Sequence, residues 1–174
     1  MELNQSVETN KMNNQVSSSS SEQSRLPYKV KDLKFLKGVI KGLKLITKKK
    51  FYIFIVTNQA GIAKGYFTIK QFENFQKFMK RRLIDHQIFI NDIEYSPFHP
   101  QGKLKKFKRR SNLRKPGNLM IKNLIAKWPI DFNKSFMIGD KKTDELCAKK
   151  SRLNFFYTKN NFFYLIRKKV NNYW

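Results

Sequence analysis

Three short polar stretches of this chain carry side chains able to do chemistry, and each adjoins an element able to position them. Thr57, Asn58 and Gln59 offer a hydroxyl and two amides directly after the apolar residues 51–56. An apolar run without alternation suits a strand covered on both faces, as in a parallel sheet inside an α/β domain. The carboxyl edge of such a sheet is where open α/β proteins usually bind ligands. Taken alone, the stretch fits a solvated turn after a core strand equally well. Arg114 and Lys115 form the second candidate, within LRKPGN at 113–118. They sit among many basic residues and by themselves specify little. Gly139 and Asp140 end a second core-strand candidate at 134–138, with Lys141 and Asp144 just beyond. By itself this too fits an ordinary strand-to-turn ending.

In this order and at these spacings, the stretches VTNQAGIAKGYFT, LRKPGN and FMIGDKKTD together are more specific. They resemble haloacid-dehalogenase-type phosphatases, in the subgroup of heptose 1,7-bisphosphate and histidinol-phosphate phosphatases. A lone TNQ carries little weight; the ordered trio is the signal. The resemblance covers about residues 28–157 and implies an α/β, Rossmann-like parallel sheet with helices on both faces. Phosphoryl transfer requires an in-line nucleophile, cations around the moving group and positioned donors. By resemblance, Thr57 would donate its hydroxyl to phosphoryl oxygens, and Asn58, Gln59 and Ala60 would touch phosphate or substrate. Lys115 would neutralise charge on phosphate and nucleophile, Arg114 would orient the substrate, and Lys141 would contact it. Asp140 would bind Mg²⁺, a hard ion that prefers carboxylate, water and phosphate. Asp144 would support Asp140 or Lys115 from behind. The implied partner is a small phosphorylated sugar or similar ester.

Two departures from the family pattern matter. The family opens with an apolar strand ending in Asp-x-Asp-Gly, whose first Asp is the nucleophile, whereas here no Asp precedes Asp32. The central first strand, the nucleophile and its acid/base partner are therefore expected to be missing, and turnover with them. Segment 1–24, with its run of serines, buries too little to offset its ordering entropy and is expected to be disordered. Residues 25–174 are expected to form a domain incomplete at its N-terminus. A truncated or misread start accounts for this, and the alternative is a non-catalytic relative that binds a sugar phosphate or a protein. The second departure is the loop at 96–113, which in many relatives holds zinc through cysteines and a histidine. Here Ser96, Phe98, Ser111 and Leu113 stand at the matching positions. His99 without thiolates cannot complete a tetrahedral site, so no zinc is expected. Residues 101–115 carry eight Lys or Arg and no acid. They form either a solvated basic loop or a flap that attracts phosphate.

Composition sets the outer bounds. The 174 residues suggest one domain, and 16 Phe with 40% hydrophobic content suffice for a core. The single cysteine, Cys147, excludes an internal disulfide. No run approaches the ~18 apolar residues of a membrane span, and no basic start leads into an apolar core. A cytoplasmic monomer is expected. A net charge of +25 attracts phosphate backbones. The lysines are spread over nearly every segment, however, without a recognition motif or stacking platform, so only non-specific nucleic-acid binding is expected.

The supporting elements follow from periodicity. Val39, Ile40, Leu43 and Ile46 predict one helix. Phe72, Phe75, Phe78, Met79, Arg82 and Leu83 predict another over about 69–86. A short strand is expected at 92–95, and a helix starting at Pro116 and Gly117 that buries Met120, Ile121, Leu124 and Ile125. A helix over 143–150, a strand over 153–157 and an amphipathic helix over 162–170 complete the pattern.

Overall fold

The computed structural model describes residues 33–158 and 162–170. In chain order these give α1 (Val39–Lys48), β1 (Phe54–Asn58), α2 (Ala60–Ala63), α3 (Ile69–Ile84) and β2 (Asp92–Ser96). Then come α4 (Leu119–Lys127), β3 (Phe136–Gly139), α5 (Lys142–Lys150), β4 (Asn154–Tyr157) and α6 (Phe162–Val170).

Side-chain alternation along the strands decides the architecture. Ile53 and Ile55 pack with Phe136 and Ile138 in one core, against α1, α3 and α6. Phe54 and Val56 pack with Met137 in a second core, against α4 and α5. Successive strand residues serve opposite faces, so an unbroken apolar run requires helices on both sides. The protein is therefore the doubly covered parallel α/β sheet expected from residues 51–56. β1 pairs in parallel with β2, and β3 with β4. Among the described residues the two pairs form separate ladders, although β1 and β3 share both cores. Phe51 meets Phe136 edge-on across this divide, at 6.1 Å between centroids. The expected absence of a central strand concerns the space between β1 and β3; segment 1–24 lies outside the described residues.

Local sequence explains the individual elements. Thr68 opens α3 with a capping box: its hydroxyl accepts from the Gln71 amide at 3.2 Å, and Gln71 Oε1 accepts from Thr68 N at 2.8 Å. Phe72, Phe75, Met79 and Leu83 then form the buried stripe, each Phe contributing roughly 1.5–3 kcal/mol by leaving water. Arg82, one position from that stripe, stays exposed. In α1, Gly42 lets the Phe162 ring approach, since a Cβ there would lie 2.6 Å from it.

Several boundaries differ from the sequence reading. β1 starts at Phe54 because its partner starts only at Asp92; before that, Asn91 caps Ile53 through two bonds of 2.8 Å. The strand then runs on through Thr57 and Asn58, so these are strand residues, not loop residues. Pro116 and Gly117 do not start α4. They lie in a turn closed from Gly117 N to Arg114 O at 2.8 Å, and the helix begins at Leu119. Strand β3 begins at Phe136, because Lys134 and its neighbours form a 3-10 turn.

A cavity of about 370 Å³ lies between β1, β3 and α4, lined by Phe54, Val56, Ile121, Leu124 and Met137 among others. Its rim, with Lys49, Lys50 and Lys134, precedes the two strands. It opens at the end of the sheet opposite the polar residues singled out above, and none of them lines it.

Candidate functional site

The carboxyl ends of β1 and β3 carry the polar groups, with the turn at 114–117 laid across them. Lys115 is the centre. Its ammonium lies 2.9 Å from Asp144 Oδ1 and donates to the Val56 carbonyl at 2.9 Å. Both charged side chains are 2% exposed, so this is a buried ion pair. Burial pushes the Lys115 pKa down, and the Asp144 carboxylate opposes that shift. Asp144 earns its position from β3 and α5 together. Its other oxygen accepts from Lys141 N at 3.0 Å, in the first turn of α5. Gly139 leaves room for it, because a Cβ there would sit 2.6 Å from Asp144 Cβ.

Strand β1 supplies three neighbours. Asn58 Oδ1 accepts from Lys115 N at 2.9 Å, and Asn58 Nδ2 donates to Lys115 O at 3.1 Å. Gln59 is buried and donates from Nε2 to Thr57 Oγ1 at 3.0 Å. The Thr57 hydroxyl therefore accepts from one side and keeps its own proton to donate. Gln59 N in turn donates to Ser96 O at 2.8 Å, tying the site to β2. Ala60 opens α2 and is half-buried.

Arg114 is half-buried and reaches back to the Phe98 carbonyl at 3.3 Å, bracing the basic loop. Arg109 stacks on the Phe98 ring at 4.1 Å in the same loop. His99 Nδ1 accepts from Gln101 N at 3.1 Å, and burial with nearby Arg114 and Lys64 lowers its pKa. The remaining basic residues of the loop are exposed, Lys106 lying over the Phe107 ring at 5.5 Å. Lys141 and Asp140 are exposed at the end of β3. Burial raises the Asp140 pKa, the Asp144 carboxylate adds to this, and Lys141 opposes it. Cys147 lies behind the turn, its thiol donating to Gly117 O at 3.2 Å. Burial pushes that thiol up to about 11.

Asn58, Lys115 and Asp144 thus form one connected set, Thr57 and Gln59 a second on the same end of β1, and Asp140 and Lys141 lie at the edge. The Val56 carbonyl joins the first set and the Ser96 carbonyl the second, and no side-chain pattern announces a backbone acceptor. Among the described residues no three His, Cys, Asp or Glu side chains converge. Magnesium takes about six oxygen ligands. Asp140 would be its one carboxylate ligand here, beside waters and phosphate oxygens, since Asp144 is committed to Lys115.

A model of the polynucleotide kinase 3 phosphatase family matches residues 10–167. The chain belongs to this family. One relative of this chain is D-glycero-beta-D-manno-heptose-1,7-bisphosphate 7-phosphatase of Escherichia coli K12. It is 36% identical over 121 residues, 70% of this chain and 63% of the relative. The same enzyme from Rhodopseudomonas palustris is 32% identical over 67% of this chain and 65% of its own length. The chain thus spans a little under two thirds of these relatives. Among solved structures, D,D-heptose 1.7-bisphosphate phosphatase from B. bronchiseptica aligns with a TM-score of 0.66 at 18% identity, covering 84% of this chain and 76% of that one. A HAD-like phosphatase from Mesorhizobium loti aligns with a TM-score of 0.62 at 24% identity, covering 66% and 55%. The family member described here therefore has the HAD-like fold.

Proposed function

We propose that this chain presents the phosphate site of a HAD-type phosphatase for a small phosphorylated sugar, with heptose 1,7-bisphosphate as the leading candidate. The observation that carries this reading is Lys115, a buried ammonium held between Asp144 and the carbonyl of Val56, the residue before Thr57, at the carboxyl edge of the sheet. A fixed cation and an aimed hydroxyl are what a phosphoryl group needs, because they require no reorganisation when charge develops. Lys115 stabilises the phosphoryl oxygens, the Thr57 proton donates to one of them, and Gln59 keeps that hydroxyl aimed. Arg114 and Lys141 contact the rest of the ester. Asp140 would hold magnesium, which neutralises phosphate charge when bound. The names of the relatives supply the sugar bisphosphate. A cytoplasmic monomer completes the reading.

The chain as written is not expected to turn over. No Asp precedes Asp32, and Asp144 is bound to Lys115. Of the two carboxylates at the site, Asp144 is thus committed to Lys115 and Asp140 is assigned to the metal, which leaves neither for attack on phosphorus. Phosphate binding without hydrolysis is the expected behaviour, as in a non-catalytic relative that holds a sugar phosphate.

Calorimetric titration with inorganic phosphate and Mg²⁺, beside an assay of phosphate release from the heptose bisphosphate, tests both parts. Binding that Lys115→Met weakens, with no release, is the expected result. Mg²⁺-dependent release lost in Asp140→Ala would show that the chain is an active enzyme. Phosphate binding indifferent to Lys115→Met would remove the site. Sequence-selective nucleic-acid binding that survives physiological salt would displace the sugar phosphate as ligand.

A further inference from the structure

We propose that Asn58 is a positioning residue that acts through Lys115, its amide clamping the Lys115 backbone so that the ammonium reaches the site. This rests on the reading of Lys115 as the phosphate-binding cation. The two residues are 57 positions apart, and between them runs the whole basic loop. A lysine at the end of such a loop has a defined ammonium position only if its backbone is held. Asn58 holds it at both ends of one residue: Oδ1 takes the Lys115 N–H at 2.9 Å, and Nδ2 reaches the Lys115 carbonyl at 3.1 Å. The side chain thereby copies the paired bonds of a strand neighbour, from the last residue of β1.

The direction of the Lys115 side chain fits this role. From the clamped backbone the ammonium turns back along β1 to the Val56 carbonyl, two residues before Asn58. Asp144 then fixes it from the side of β3. Backbone clamp, strand carbonyl and carboxylate define three points, and only the clamp is a side chain of β1. Small displacements of a charged group from its productive position are costly, so loss of the clamp acts on ligand binding at a distance. Asn58 was singled out from the sequence as a ligand contact; its two bonds to Lys115 favour the indirect role.

A double-mutant cycle separates the two roles. Inorganic phosphate binding, with Mg²⁺, is measured for the full chain, Asn58→Ala, Lys115→Met and the double variant. The expected result is binding weakened about tenfold by Asn58→Ala, comparable to losing two ordinary hydrogen bonds, with no further loss when Lys115→Met is already present. Independent, additive losses would make Asn58 a direct ligand contact and overturn the proposal. A second measurement needs no phosphate: lysine acetylation read by mass spectrometry. Asn58→Ala is expected to speed acetylation of Lys115 several-fold while leaving exposed Lys127, the last residue of α4, unchanged. An unchanged Lys115 rate overturns the proposal. If Lys115→Met does not affect phosphate binding, the phosphate-site reading fails, and the acetylation result alone decides the clamp. Should Asn58→Ala fail to fold, Asn58→Asp keeps the acceptor for Lys115 N and is expected to give a smaller rise in acetylation. No rise in that variant counts against the clamp.

Discussion

Asp144→Ala is expected to cost about 3–5 kcal/mol of stability, because it strands a buried ammonium without its counter-charge. Lys115 is 3% exposed and cannot turn out to water without dragging the turn at 114–117 with it. Burial already lowers its pKa, and Asp144 is what opposes that shift. Without Asp144, the cheaper outcome is a neutral amine, which no longer attracts phosphate. Chemical denaturation read by circular dichroism measures the first effect and phosphate calorimetry the second. The double variant Lys115→Met with Asp144→Leu makes the argument sharper. An apolar pair of similar volume is expected to restore most of the stability while leaving phosphate binding lost. If Asp144→Ala melts like the parent chain, the pair is not buried as described. Recovery of stability without recovery of binding would show that the pair serves the site more than the fold.

Gly117→Ala is the second large effect, expected at or above the upper end of the ~1–3 kcal/mol usual for overpacking. A Cβ on Gly117 would lie 2.2 Å from Asn112 O and 2.7 Å from its Cα, both backbone atoms. Neither can step aside as a flexible side chain would. The same Asn112 carbonyl accepts from Leu119 N at 3.2 Å at the start of α4, so moving it disturbs that helix as well. The displaced turn carries Lys115, so phosphate binding should weaken together with stability. Denaturant midpoints for Gly117→Ala and, as a milder control, the solvent-facing Leu104→Ala measure the difference. Equal midpoints would mean the turn repacks freely.

The parts of the molecule written in side-chain type are legible in the sequence. Residues 51–56 announced a doubly covered strand because both faces of β1 needed apolar residues. The stripe of Phe72, Phe75, Met79 and Leu83 announced α3. The candidate site residues stand in three ordered motifs, no single one of which is specific. What stayed hidden depends on contacts between distant backbones. The ladder fixed the start of β1 through Asp92, not through any change in hydropathy at residue 51. The Lys115 turn excluded Pro116 and Gly117 from α4 because Gly117 presses on Asn112, a neighbour only after folding. The resemblance makes Asn58 a ligand contact; that its amide also meets Lys115 is a fact of geometry between positions far apart in the chain.

The thiol behind the turn has a practical consequence. Cys147 is the single cysteine of the chain, fully buried, with its proton held on Gly117 O and retained up to about pH 11, against an ordinary value of 9.0. A folded state that holds this proton more tightly than the unfolded chain keeps that advantage below pH 9 and gives it up as pH rises towards 11. At pH 8 the native thiol is therefore both shielded and protonated, and iodoacetamide is expected to label it only when α5 lifts from the 115–117 turn. Labelling kinetics under native conditions become a clock for breathing of the very wall that holds Lys115. A rate matching that of the unfolded chain would mean the wall stands open; a rate slowed by added phosphate would tie its closure to the ligand.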